Sequence, residues 1–114
     1  MAEQKSDVVV IGGGMVGAAT ALGLAQAGFS VTVVENRRPR PFDPSQPPDL
    51  RISAISASSV ALLDSLGVWK DVRQMRSAAY RGLETWEWDA SRVSFSAKDL
   101  GIPELGHMLE NEVL

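Results

Sequence analysis

Apolar residues along the first third of the chain fall into short blocks, each with the signature of one element. Val8-Val9-Val10-Ile11 is a largely β-branched run with Asp7 before it and glycine after it. An unbroken apolar run of that length predicts a strand buried on both faces, as in a parallel sheet. From Met15 to Ala27 alanine and leucine dominate and Gly28 follows, which predicts a buried helix with a glycine stop. Val31-Thr32-Val33-Val34-Glu35 is a second β-branched run, and it ends in an acid. Strand, helix and strand fit within about 30 residues, the size of a βαβ unit.

The pattern breaks at Arg37 to Leu50, where Pro39, Pro41, Pro44, Pro47 and Pro48 lack the N–H that helices and central strands need. An extended, exposed loop is predicted there. Serines at 56–58 can cap a helix that runs to Leu66, with Val60, Leu62, Leu63 and Leu66 on its apolar face and Gly67 as its stop. A short helical turn is expected from Trp69 to Met75. Gly82 to Trp88 and Arg92 to Phe95 read as two strands joined by Asp89-Ala90-Ser91. Trp86 and Trp88 would then share one face of the first strand, as core or as an interdomain surface. His107 reads as structural, and Met75 and Met108 as core fillers. Leu105 to Leu114 carries no terminating signal, and no internal repeat is present.

Composition narrows the possible chemistry. A net charge of −3 and a pI near 5.0 give no support for a nucleic-acid or anionic-lipid partner. With no cysteine, disulfides, thiol nucleophiles and cysteine-based metal sites are excluded, and no metal site is expected. A reducing, cytoplasmic compartment fits. Val8 to Phe29 is apolar, but glycines interrupt it and no run of about 18 apolar residues exists. Any membrane contact should therefore be peripheral, at the inner face of the cytoplasmic membrane.

Gly12, Gly14 and Gly17 form G-x-G-x-x-G within Ile11-Gly12-Gly13-Gly14-Met15-Val16-Gly17. The pattern is weak alone and specific here, because it follows a predicted strand and opens a predicted helix. Gly12 should allow a tight turn where a Cβ would clash, Gly14 a close approach to a pyrophosphate, and Gly17 close packing of helix on strand. The N–H groups at Met15 and Val16 open the helix and face the pyrophosphate. Glu35 stands about 20 residues on, where a carboxylate accepts bonds from a ribose hydroxyl. It favours an unphosphorylated adenosine ribose, as in FAD or NAD. Asn36 and Arg37 are placed to lie against the adenosine.

Three further stretches, "RISAISASSVALLDSLGVW" from Arg51, "YRGLETWEW" from Tyr80 and "LGHMLENEVL" at the end, join the glycine loop in one resemblance. Together they resemble the ubiquinone-biosynthesis hydroxylases, class A FAD monooxygenases. "SAISAS" and "LETWEW" point to the branch that hydroxylates 2-polyprenyl-3-methyl-6-methoxy-1,4-benzoquinol. The resemblance covers essentially the whole chain, while members of the family are several times longer. The chain is therefore read as the N-terminal piece of a longer enzyme. Its fold is α/β: a Rossmann-like FAD-binding βαβ with the start of a β-rich substrate domain, incomplete as a fold. The FAD-binding part is expected over 1–75, and 76–114 should begin the substrate-domain strands and return to the FAD domain.

The resemblance implies bound FAD, NAD(P)H as a transient reductant, O₂, and a polyprenyl benzoquinol substrate. It implies that Arg51 approaches the FAD pyrophosphate or the nicotinamide donor, and that Asn111 lies near the ribityl chain, with Glu110 a weaker candidate. Read without it, Arg51 is equally a solvated loop residue and Asn111 a helix cap. No catalytic acid, base or nucleophile can be assembled from these residues, as expected where a flavin carries the chemistry. The segment alone is expected to be inactive and to self-associate. Peripheral membrane association and a biosynthetic complex are expected of the whole enzyme. Three other readings stay open: a different FAD enzyme of the same fold, an NAD-dependent dehydrogenase, and a non-catalytic nucleotide-binding module.

Overall fold

β1 (Val8–Ile11), α1 (Met15–Gln26) and β2 (Val31–Val34) open a computed structural model that describes residues 3–114. β3 (Ile52–Ser56), α2 (Ala57–Ser65), α3 (Trp69–Met75) and β4 (Ser77–Tyr80) follow. β5 (Gly82–Glu87), β6 (Ser91–Ser96) and β7 (Gly106–Glu110) complete the order. The α/β class expected from the sequence is the class observed. The described residues divide into two compact units, 3–42 together with Leu114, and 43–113.

In the first unit β1 and β2 pair in parallel, Val8 opposite Val31 through Ile11 opposite Val34, with α1 as the crossover. A side-chain clasp sets the register at the start of the pair. Ser30 donates from its backbone N–H and its hydroxyl to Asp7 Oδ2, at 2.8 and 2.7 Å. These bonds hold the Asp7 carboxyl below its usual range. Gly28 N–H bonds Ala25 O at 3.0 Å and Phe29 N–H bonds Leu24 O at 3.1 Å, the paired Schellman closure that a glycine stop predicts.

The expectation of a strand and helix buried on all sides does not hold. Val9 and Ile11 are exposed, Ile11 to 86%, and Ala21 alone is buried in α1. A two-stranded sheet with one helix has a second layer on one face only, and β1 alternates half-buried and exposed positions accordingly.

In the second unit β7 is the central strand, antiparallel to β3 on one side and to β4 on the other. Leu109, the most deeply buried large side chain among the described residues, sits on this strand, and Trp69, Val72, Ala97 and Val113 are also buried. α2 starts as predicted, with Ser56 Oγ accepting from Ser59 N–H at 3.3 Å. Its C-terminus closes with Gly67 N–H on Asp64 O and Val68 N–H on Leu63 O. His107, expected to be structural, is buried in this unit. It is 3% exposed and meets Trp69 edge-on, with ring centroids 4.8 Å apart.

β5 and β6 form the predicted hairpin, Gly82 opposite Ser96 through Glu87 opposite Ser91. The connection is Trp88-Asp89-Ala90, one residue earlier than read from the sequence. Trp88 stands in the turn with φ 55° and does not share a strand face with Trp86. Both indoles are exposed, Trp88 to 85%, so neither is core within this chain. Met75 and Met108 are exposed as well, against their reading as core fillers. No helix of the described residues is long and apolar enough to cross a membrane.

Candidate functional site

The chain leaves β1 through Gly12, whose N–H still donates to Val34 O at 2.8 Å. It then turns with Gly12 at φ +100°, a conformation in which any side chain is strained. A Cβ at Gly12 would meet nothing within 4 Å. The glycine is thus required by its backbone angle, not by the clash expected from the sequence. Gly17 is required by contact: a Cβ there would lie 1.9 Å from Gly12 O and 3.4 Å from Val10 Cγ1. The first turn of α1 packs directly on the loop and on β1, and only a hydrogen fits between them.

Gly14 caps α1 in extended conformation and offers no side-chain acceptor. The first-turn N–H groups of a helix have no intrahelical partner, and Met15 and Val16 carry two of them. Space within 4 Å of a Cβ at Gly14 is empty, and Val16 is 76% exposed. Room, unpaired donors and the positive end of the helix dipole coincide, as an anion such as a pyrophosphate requires.

Glu35 follows β2 directly and reaches back to the loop. Its Oε2 accepts Gly13 N–H at 2.6 Å and its Oε1 accepts Arg37 N–H at 2.9 Å. Gly13 first, then Arg37, hold the Glu35 carboxyl below its ordinary range. Each oxygen retains acceptor capacity beyond these bonds, and the side chain is exposed. A ribose hydroxyl can therefore bond a carboxylate whose direction the loop has already set. Gly13 is a contributor the motif reading passed over: a Cβ there would lie 3.1–3.3 Å from Glu35 side-chain atoms. Its only signal in the sequence is a third glycine between the two that the motif specifies. Asn36 and Arg37 continue the exposed segment after Glu35.

Arg51 and Asn111 meet in the second unit. Asn111 N–H donates to Arg51 O at 3.0 Å, and Asn111 Oδ1 accepts from Ser53 Oγ at 2.6 Å. Asn111 opens the turn after β7. The Arg51 side chain is exposed just before β3. Ser53, Arg76 and Glu110 join this cluster through bonds spanning 34 to 61 residues of sequence. Such separations leave no local signal by which a sequence pattern could reveal the cluster.

Residues 7–42 match the family model described as DAO, FAD dependent oxidoreductase. The whole chain is 56% identical over 114 residues to the 3-demethoxyubiquinol 3-hydroxylase of Escherichia coli (strain K12), of which it spans 29%. It is 32% identical over 113 residues to the mitochondrial ubiquinone biosynthesis monooxygenase COQ6 of Homo sapiens, matching 95% of this chain and 24% of that protein. Among solved structures, p-nitrophenol 4-monooxygenase PnpA from Pseudomonas putida DLL-E4 superimposes with a TM-score of 0.64 at 26% identity, over 93% of this chain and 26% of that one. The chain thus spans under a third of the length of these relatives. Along its full length the chain is thus similar to a segment of ubiquinone-biosynthesis hydroxylases, and over residues 7–42 to an FAD dependent oxidoreductase model.

Proposed function

We propose that this chain is the FAD-binding portion of an NAD(P)H- and O₂-dependent monooxygenase that hydroxylates a polyprenylated benzoquinol in ubiquinone biosynthesis. The observation that carries dinucleotide binding is the bond between Glu35 and Gly13. It ties the ribose acceptor to the pyrophosphate loop within a single strand–helix–strand unit. The choice of FAD over NAD and the quinol substrate are supported by the relatives.

In this reading Gly12 and Gly14 admit the pyrophosphate, Met15 and Val16 donate backbone N–H groups to it, and Gly17 lets α1 aim its positive end at it. Glu35 accepts from the adenosine ribose and disfavours a 2′-phosphate, and Asn36 and Arg37 flank the adenosine. Arg51 gives a guanidinium to phosphate oxygens, and Asn111 an amide to the ribityl chain. Bound FAD supplies the redox chemistry, passing two electrons from NAD(P)H to O₂. One oxygen atom enters the quinol ring in place of hydrogen, and the other leaves as water. A polyprenyl substrate gives the whole enzyme reason to work peripherally at a membrane surface and beside its biosynthetic partners.

The test is the absorbance of the purified full-length protein that contains this segment, followed by NADPH oxidation in air with a short-chain quinol. Flavin bands at roughly 375 and 450 nm, quinol-stimulated oxidation and a product heavier by one oxygen are expected. A colourless protein that FAD cannot reconstitute, yet binds NAD, would overturn the reading in favour of a dehydrogenase.

A further inference from the structure

The proline-rich segment begins with a concentration of charge that the glycine loop does not use. The whole chain carries a net −3, yet Arg37, Arg38 and Arg40 place three of its 11 basic side chains within four positions. No acid interrupts the stretch from Asn36 to Phe42, which lies wholly within the first unit. Residues 36–41 are all exposed. Among the described residues Arg38 and Arg40 take part in no ion pair.

The carboxylates at the two borders are engaged elsewhere. Glu35 accepts the N–H groups of Gly13 and Arg37, and Asp43 accepts Ser45 N–H at 2.9 Å and Ser45 Oγ at 2.7 Å. Between them local sterics keep the backbone extended. Arg38 and Arg40 each precede a proline, whose ring bars the residue before it from helical angles. At roughly 3.1 Å per residue the two arginines stand about 6 Å apart along the chain. Pro39 and Pro41 have no N–H to give, so the segment is a poor edge for a partner strand, which docks by backbone pairing. What it offers outward is positive charge.

We propose that Arg37, Arg38 and Arg40 form a contact site for an anionic phospholipid surface. Such a surface presents many phosphates in one plane and asks for no strand register, and a guanidinium can bond phosphate oxygens in bidentate fashion. The net charge of the chain does not forbid the contact. At physiological salt, charges farther than about 8 Å are largely screened, so the patch nearest the lipid decides. The choice of a bilayer over another polyanion rests on the proposed polyprenyl substrate, whose tail belongs in a membrane.

The experiment cosediments the full-length protein with vesicles of phosphatidylglycerol and phosphatidylcholine, and with vesicles of phosphatidylcholine alone. Binding to the anionic vesicles is expected, and it should fall as salt rises from roughly 0.1 to 0.5 M. Arg38→Ala/Arg40→Ala should lower the partition constant about thirtyfold, while Arg38→Lys/Arg40→Lys keeps it within about threefold, because the surface potential acts on charge. Both variants should retain the flavin bands and the short-chain quinol oxidation of the unaltered protein. Equal sedimentation with both kinds of vesicle would overturn the proposal, and so would an alanine pair that binds as well as the lysine pair. Retention on duplex DNA without retention on vesicles would assign the patch to a nucleic acid and overturn it too. A protein that has no flavin or quinol oxidation, yet binds anionic vesicles through these arginines, would sink the proposed function and leave the contact site standing.

Discussion

Under the proposed function Glu35 joins two tasks in one side chain, since its carboxylate takes a loop N–H and keeps acceptor capacity for a ribose hydroxyl. Its charged form is the one that Gly13 and Arg37 bond, and its folded pKa is depressed. The stability this contributes is therefore present above the ordinary carboxylate range and is lost as pH falls through the depressed value. Thermal melts of the full-length protein from neutral pH downward are expected to show a loss of stability in that acid window. Glu35→Gln should flatten part of this loss, because an amide cannot titrate. A variant whose acid profile overlays that of the unaltered protein would mean that the Glu35–Gly13 bond does not hold the loop.

At the scale of elements, α1 and its loop work as one piece because the helix begins against Gly12 O. Gly17→Ala puts a methyl group where the oxygen stands at 1.9 Å, and the backbone at both ends must move. A destabilisation of about 1–3 kcal/mol is expected for such overpacking. FAD affinity should fall more than stability does, since the displaced loop is the proposed phosphate seat. Denaturant unfolding and flavin titration of the full-length protein measure the two losses separately. Equal FAD affinity in Gly17→Ala would show that loop and helix can separate without cost to the site.

For the whole molecule, what matters is how much apolar surface it leaves in water. Ile11, Leu50, Trp86 and Trp88 are each more than half exposed, and Leu83, Val93 and Phe95 line an exposed hairpin. β1 and β2 form a sheet of two strands, each with an unpaired edge, a further invitation to association. The 114-residue chain by itself is expected to self-associate with rising concentration in sedimentation velocity, and to show no quinol hydroxylation. A sharp monomer boundary at every concentration would contradict this.

The sequence by itself determined the local pieces: the βαβ signature, the glycine loop, the serine cap of α2, both glycine stops and the hairpin. Each is written in contiguous residues by rotamer, φ or hydrogen-bond preferences that act within a few positions. It carried no comparable signal for β3, β4 and β7. Ser77–Tyr80 and Gly106–Glu110 are short, mixed in polarity and strands only because they pair with each other and with Ile52–Ser56. The tertiary structure alone decided that Gly12 is needed for its φ, that Gly13 receives Glu35, and that Arg76 and Glu110 hold the proline-rich segment. It also decided which apolar residues stay in water, because burial depends on what layer lies opposite and not on the residue's own hydropathy. Local preferences are read along the chain, whereas pairing and burial belong to residues that only folding brings together.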